Sequence, residues 1–159
     1  MNSSENKFNN KGFGNVIYDN IDLLLSGLAK ELEATMGDQP EKTVRKKFKK
    51  QINATVYDSY TPTQYDRTGE LLQDSSIKSA VSRKGADVEL TVQSIRSEDG
   101  KDIAKIIETG QGYTWESSQI AKSKTPRPFH ANTEEELAST GEHIQAIKAG
   151  LRKRGIDVI

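Results

Sequence analysis

Apolar residues along this chain recur in two rhythms, and the changes of rhythm mark the elements. From Asn15 onward, Ile17, Ile21, Leu24, Leu25, Leu28 and Leu32 fall at steps of three and four, the single stripe of an amphipathic helix. Asp19 and Asp22 suit the positive end of its dipole, and Gly37 predicts its stop. Pro40 stands where proline starts a helix well, and Val44, Phe48, Ile52 and Val56 then repeat at intervals of four, predicting a second helix. Its other face reads "RKKFKK", with Arg45, Lys46, Lys47, Lys49 and Lys50. Such a run is either a solvated helix face or a contact for DNA phosphates or an acidic neighbour. Clustered cations serve all of these.

The helical rhythm then stops. "YTPTQYDRTGELL", Tyr60 to Leu72, has neither period; Pro62 disfavours helix at Thr61, and Asp66-Arg67-Thr68-Gly69 is turn chemistry. Alternation follows. "SIKSAVSR" puts Ile77, Ser79 and Val81 on one side, and "DVELTVQSI" puts Val88, Leu90 and Val92 on one face, with Gly85 between the two. An antiparallel hairpin is predicted. Ile103, Ile106 and Ile107 predict one or two helical turns ending near Gly110. "ESSQIAKSKTPRPF" reads as a loop held extended by Pro126 and Pro128. A last helix is expected to open at "NTEEEL", with Thr133 and Glu136 as a capping box and Leu137, Gly141, Ile144, Ile147 and Leu151 as its stripe. It is expected to end at Gly155, and the tail "IDVI" to add an edge strand or an arm.

Composition narrows the picture. With 159 residues the chain suits one domain, expected over 15–159 behind a flexible arm at 1–14. Hydrophobic residues make up 33% and charged residues 29%, a polar balance that fits a subunit with long loops buried on assembly. Lys+Arg and Asp+Glu both number 23, so net charge gives no sign of whole-surface nucleic-acid binding. Without cysteine there is no disulfide or thiolate metal site. No apolar run approaches the roughly 20 residues of a membrane span, and the Asn- and Ser-rich start lacks the apolar core of a signal peptide. These features lead us to expect a soluble protein made in the cytoplasm.

A search for catalytic chemistry returns little. His130 and His143 have no partner at metal-ligand spacing, "ETGQGYTW" lacks the third glycine and setting of a dinucleotide loop, and no Gly-x-Ser-x-Gly elbow occurs. Glu108, beside Ile106 and Ile107, reads as an acceptor of backbone N–H groups from the Gly-rich turn, with a general acid as the alternative. The expectation is a non-enzyme, with no catalytic residue, metal or cofactor. Aromatic and arginine residues in the loops stand out instead. Tyr57, Tyr60 and Tyr65 lie in or beside the turn region, Tyr113 and Trp115 after the glycines, and Arg127 and Phe129 in the proline loop. These residue types are enriched at protein–protein interfaces.

Three marks in order carry a resemblance: Tyr65-Asp66-Arg67-Thr68-Gly69-Glu70-Leu71-Leu72 running on to Ser76-Ile77, then "IIETGQGY" at 106–113, then "PRPF" at 126–129 before a terminal helix. Together they resemble the minor tail or neck proteins of tailed bacteriophages, also called head–tail joining or tail-completion proteins. The resemblance covers roughly 57–155. Two features depart from the family pattern: a longer loop at 116–125 and a more aromatic stretch before the first strand.

The resemblance implies an α+β fold, with N- and C-terminal helices packed on a small antiparallel sheet and long loops used in ring assembly. It implies a six- or twelve-fold ring in the virion neck, between the connector, adaptor or head-completion protein and the tail terminator or tail tube protein. No catalysis or membrane is involved. On this reading Tyr60, Tyr65, Arg67, Tyr113, Trp115, Arg127 and Phe129 meet neighbouring subunits. The cations at 45–50 meet channel DNA if their helix faces the lumen. The alternatives are a tail terminator capping the tube and a DNA-binding accessory protein using that basic helix.

Overall fold

The computed structural model describes residues 20–59, 61, 67–114 and 124–159. The fold class is α+β, as the sequence indicates. In chain order the elements are α1 (Ile21–Met36), α2 (Gln39–Ile52), β1 (Ile77–Lys84), β2 (Asp87–Ser94), β3 (Ser97–Glu98), β4 (Lys101–Asp102), α3 (Ile103–Thr109), α4 (Phe129–Thr140) and α5 (Glu142–Lys153). β1 and β2 form one two-stranded sheet, β3 and β4 another. Among the described residues no helix is long and apolar enough to cross a membrane. The expected arm at 1–14 lies outside them.

Two compact units make up the chain. One holds the described part of Met1–Lys42 with Ala80–Leu90 and Glu142–Ile159; the other holds the described parts of Thr43–Ser79 and Thr91–Gly141.

In the first unit, the Asn20 side chain accepts the Leu23 N–H at 2.9 Å and fixes the start of α1. Helix α5 packs against α1 where Gly150 meets Thr35, which is 1% exposed. A Cβ at Gly150 would collide with Thr35 Cγ2, so glycine sets how closely the helices approach. Arg154 donates to Glu31 at 3.1 Å and to the Ala34 carbonyl at 3.3 Å, and Arg83 of β1 lies 3.4 Å from Glu33. The tail after Gly155 forms no strand; Ile156 is buried, and Arg152 donates to the Val158 carbonyl.

The second unit holds the larger core. Phe48 and Ile52 from α2 meet Val56, Leu71, Ile77, Ala104, Ile107 and Phe129, with Val92 and Ile103 packed against them. Thus the stripe Phe48–Ile52–Val56 is buried as its spacing predicts, with Ile77 of β1 in the same core and Val92 of β2 packed against it. Phe48 and Phe129 meet edge to face, centroids 5.5 Å apart.

Two predictions about the C-terminal helix are corrected. The helix is two helices, because Gly141 adopts φ 63, the left-handed conformation that terminates α4 instead of continuing a stripe. The capping box does not form. Helix α4 begins at Phe129, four residues before Thr133, so Thr133 is buried mid-helix with its hydroxyl donating to the Phe129 carbonyl at 2.6 Å. The cap comes from Glu108 instead, whose carboxylate accepts the N–H groups of His130 at 3.1 Å and Ala131 at 3.4 Å. Glu108 was expected to serve the Gly-rich turn; it serves a helix start 22 residues away.

The basic face of α2 is held to its own unit. Arg45 donates to the Ile77 carbonyl and Ser79 hydroxyl, both at 3.0 Å, and joins Lys49 on Asp74. Lys47 and Lys50 reach Glu136 at 2.9 and 2.6 Å, and Gln51 donates to its second oxygen at 2.7 Å. Lys46 is exposed. These three donors hold the Glu136 carboxyl at about 2, against an ordinary 4.5. A depressed folded-state pKa contributes stability that is fully present above pH 4.5 and is lost as pH falls toward 2. Glu136→Gln is therefore expected to cost about 2 kcal/mol at neutral pH. The gap from wild type should close as pH drops through that window. Urea midpoints between neutral pH and pH 2 check this; a gap independent of pH would refute it.

Candidate functional site

The three sequence marks meet on one cleft of the second unit. The first reaches it through Gly69, whose φ of 69 turns the chain into a short 3-10 helix, Glu70–Leu72. That places the Leu71 N–H 3.3 Å from the Tyr57 hydroxyl. Tyr57 ends a π-helical turn, Asn53–Tyr57, that widens the exit from α2. The Arg67 guanidinium lies 5.5 Å from the centroid of the Tyr57 ring and donates to the Tyr57 carbonyl. Burial pushes the Tyr57 phenol above its usual range.

The second mark enters through α3. Asp102 caps it, accepting the Lys105 N–H at 3.0 Å, and Gly110 closes it at φ 69. Gly112, at φ 88, lies so close to Ile106 that a Cβ would sit 3.2 Å from Ile106 Cγ1. The chain then presents Tyr113. The third mark is tied to the second: the Arg127 N–H donates to the Ile107 carbonyl at 3.0 Å, and its guanidinium donates to the Tyr113 hydroxyl.

Between these segments lies a cleft of about 290 Å³. Val56, Leu71 and Ile107 form its buried floor, and Ile103 and Ile106 its half-buried wall. Thr68, Lys101 and Thr114 are exposed at its rim. Arg96 also lines it and holds both Glu70 and Glu98. An apolar floor under a few polar groups is what a site for a side chain or small ligand needs.

The expected site residues divide as follows. Arg67, Tyr113 and Arg127 come together on the cleft, with Arg127 buried among its walls. Phe129, expected at a subunit interface, is 0% exposed in the core of its own unit, because the helix it opens packs on Phe48. Tyr60, Tyr65 and Trp115 lie outside the described residues. Of the basic run, Arg45, Lys47, Lys49 and Lys50 face Asp74 or Glu136, as described above.

Sequence reading missed Arg96, Lys101 and Glu98. They sit on the β3–β4 hairpin, whose Asp99 and Gly100 both have positive φ, 49 and 73. The Asp-Gly step in "SEDGKD" is the signal that could have found it.

Glu108 and His130 are also brought together. The carboxylate lies 3.0 Å from His130 Nδ1 while capping α4, and the imidazole stacks near Phe48 and Phe129, with centroids 4.8 and 4.5 Å away. The geometry accounts for both residues as parts of a helix start.

The YomN family profile matches residues 20–153, which take in every residue of the cleft. This chain belongs to the YomN family. A relative, the SPbeta prophage-derived uncharacterized protein YomN of Bacillus subtilis (strain 168), is 41% identical over 101 residues. The match covers 64% of this chain and 68% of the relative. No solved structure matches the chain. Membership in the YomN family supports a phage origin.

Proposed function

We propose that the protein is a structural virion component of the phage neck, a ring subunit that joins the DNA-filled head to the tail. One observation carries this reading. The three segments that resemble head–tail joining proteins, far apart in sequence, converge on a single tyrosine- and arginine-lined cleft. They supply Leu71, Ile77, Ile107 and Phe129 to the core, and Arg67, Tyr113 and Arg127 line a concave surface able to receive another chain. The prophage relative is consistent with such a role.

In this proposal the protein carries out no reaction. Its partners are other copies in a six- or twelve-fold ring, the connector or head-completion protein above, and the terminator or tube protein below. It is made in the host cytoplasm and resides in the virion. The DNA-binding alternative draws less support, because Asp74 and Glu136 engage most of the basic face of α2.

The test is a phage carrying a nonsense mutation in this gene, its lysate viewed by negative-stain microscopy. Full heads beside detached tails of normal length are expected. Overlong tails would instead make the protein a tail terminator. Intact infectious particles would refute both readings.

A further inference from the structure

Strands β1 and β2 make a sheet of two strands, each eight residues long and uninterrupted by proline. The Ile95 N–H donates to the Ser76 carbonyl at 2.8 Å, and only Gly85 and Ala86 join the strands, so Ser76 lies opposite Ile95 and Lys84 opposite Asp87. Antiparallel bonding alternates along a strand. Val81 and Arg83 of β1, and Val88 and Leu90 of β2, therefore turn their backbone N–H and C=O groups away from the other strand. The Ile77 carbonyl has the same phase, and Arg45 takes it at 3.0 Å. Among the described residues, no backbone group from outside the hairpin bonds to the other four. Val88 and Leu90 are half-buried, where an unmade backbone bond is costly. Edges left in this state are templates for another strand.

The two edges differ in sign. On the exposed face of the hairpin, β1 carries Lys78 and Lys84 and no carboxylate, and β2 carries Asp87 and Glu89 and no cation. Lys78, Lys84 and Asp87 form no ion pair among the described residues. We propose that β2 of one copy pairs antiparallel with β1 of the next, so that the hairpins of successive copies form one continuous sheet. This deepens the ring assembly proposed above and rests on it.

Copies related by rotation about an axis along the strands keep their turns level. Asp87 then comes beside the next copy's Lys84, and Glu89 beside the next copy's Ser82. Opposite charges across neighbouring strands attract. Pairing β1 with β1 would instead set lysine against lysine, and β2 with β2 acid against acid. Main-chain bonds supply the affinity, and the charges choose the edge. The contact joins two different edges, so it is head-to-tail and propagates from copy to copy until the rotation closes a ring.

The chain contains no cysteine, so introduced thiols report proximity without background. Ser82 and Glu89 are exposed. Between copies with level turns they form a pair without shared hydrogen bonds, whose Cα atoms lie about 4.5 Å apart, within reach of a disulfide. Under mild oxidation, full-length Ser82→Cys mixed with full-length Glu89→Cys is expected to give a cross-linked dimer on non-reducing gels. Nothing larger should form, because each partner carries one thiol. Ser82→Cys mixed with Ala138→Cys, exposed on α4, should give no product. Adding Lys84→Glu to both partners should lower the dimer yield several-fold, and Lys84→Glu together with Asp87→Lys should restore it.

Absence of the Ser82–Glu89 dimer overturns the pairing. So does an equal yield with Ala138→Cys, or of Ser82→Cys with itself, which would mean that β1 pairs with β1. A yield unmoved by Lys84→Glu overturns it as well. Detached tails in the nonsense phage with no cross-link would remove this contact alone. A cross-link in a protein whose loss leaves particles intact would keep the contact and remove the neck reading.

Discussion

Replacing Phe129 with alanine is expected to destabilise the protein by about 3–5 kcal/mol. The ring is fully buried, meets Phe48 edge to face and lies against His130. Its removal takes away transferred apolar surface and leaves a cavity that the surrounding helices cannot close, since Phe48 and Ile52 are themselves held by α2. Part of the loss is the aromatic contact, about 1 kcal/mol beyond area. Phe129→Leu keeps much of the volume and is expected to cost less than half as much. Urea unfolding of the purified protein gives both numbers. The result also separates two roles for the residue: a side chain serving only a subunit interface would leave the isolated chain as stable as wild type. An unchanged midpoint for the alanine variant would restore the interface role that the sequence suggested.

Gly110→Ala is expected to cost about 2–4 kcal/mol, and Gly69→Ala about 1–2 kcal/mol. The two glycines share one backbone conformation, φ 69 and ψ 12, so the intrinsic penalty for a left-handed alanine is the same at both. They differ in surroundings. A Cβ at Gly69 meets nothing within 4 Å, whereas at Gly110 it would run into the backbone carbonyl of Lys124. Backbone cannot swing away as a side chain can. The excess cost at Gly110 therefore reads how tightly the proline loop is pressed on the end of α3. Thermal unfolding of both variants measures it. Equal losses would mean that this approach contributes nothing.

Because Gly110 also fixes where the chain leaves α3, the same substitution should disturb Tyr113 and its contact with Arg127. The cleft thus depends on two left-handed glycines for its shape, Gly69 in its lining and Gly110 at the end of α3. That dependence joins stability to the proposed assembly.

Much of the fold could be read in the sequence. The stripe Phe48–Ile52–Val56 required a buried helical face, and the alternation around Gly85 required a hairpin with one covered side. The spacing of Ile103, Ile106 and Ile107 before Gly110 specified a short helix and its stop. These succeeded because hydrophobic periodicity and glycine conformation are local properties. The failure of the capping box has a non-local cause. Thr133 and Glu136 have the spacing of a capping box, but both were already committed elsewhere, Thr133 to the interior of α4 and Glu136 to Lys47, Lys50 and Gln51. Local spacing cannot show that a distant carboxylate, Glu108, will cap the helix first.

The site was legible in its parts and not in its assembly. Tyr113, Arg67 and Arg127 were marked by residue type alone, and the same criterion also chose Phe129, which is core. By itself the sequence determined α1, α2, the β1–β2 hairpin and α3, because those follow from side-chain period and backbone preference. Only the tertiary structure decided which cations are engaged, where α4 begins, and that three separated loops border one cleft. Each of these depends on contacts between residues tens of positions apart, whose energies no local pattern contains.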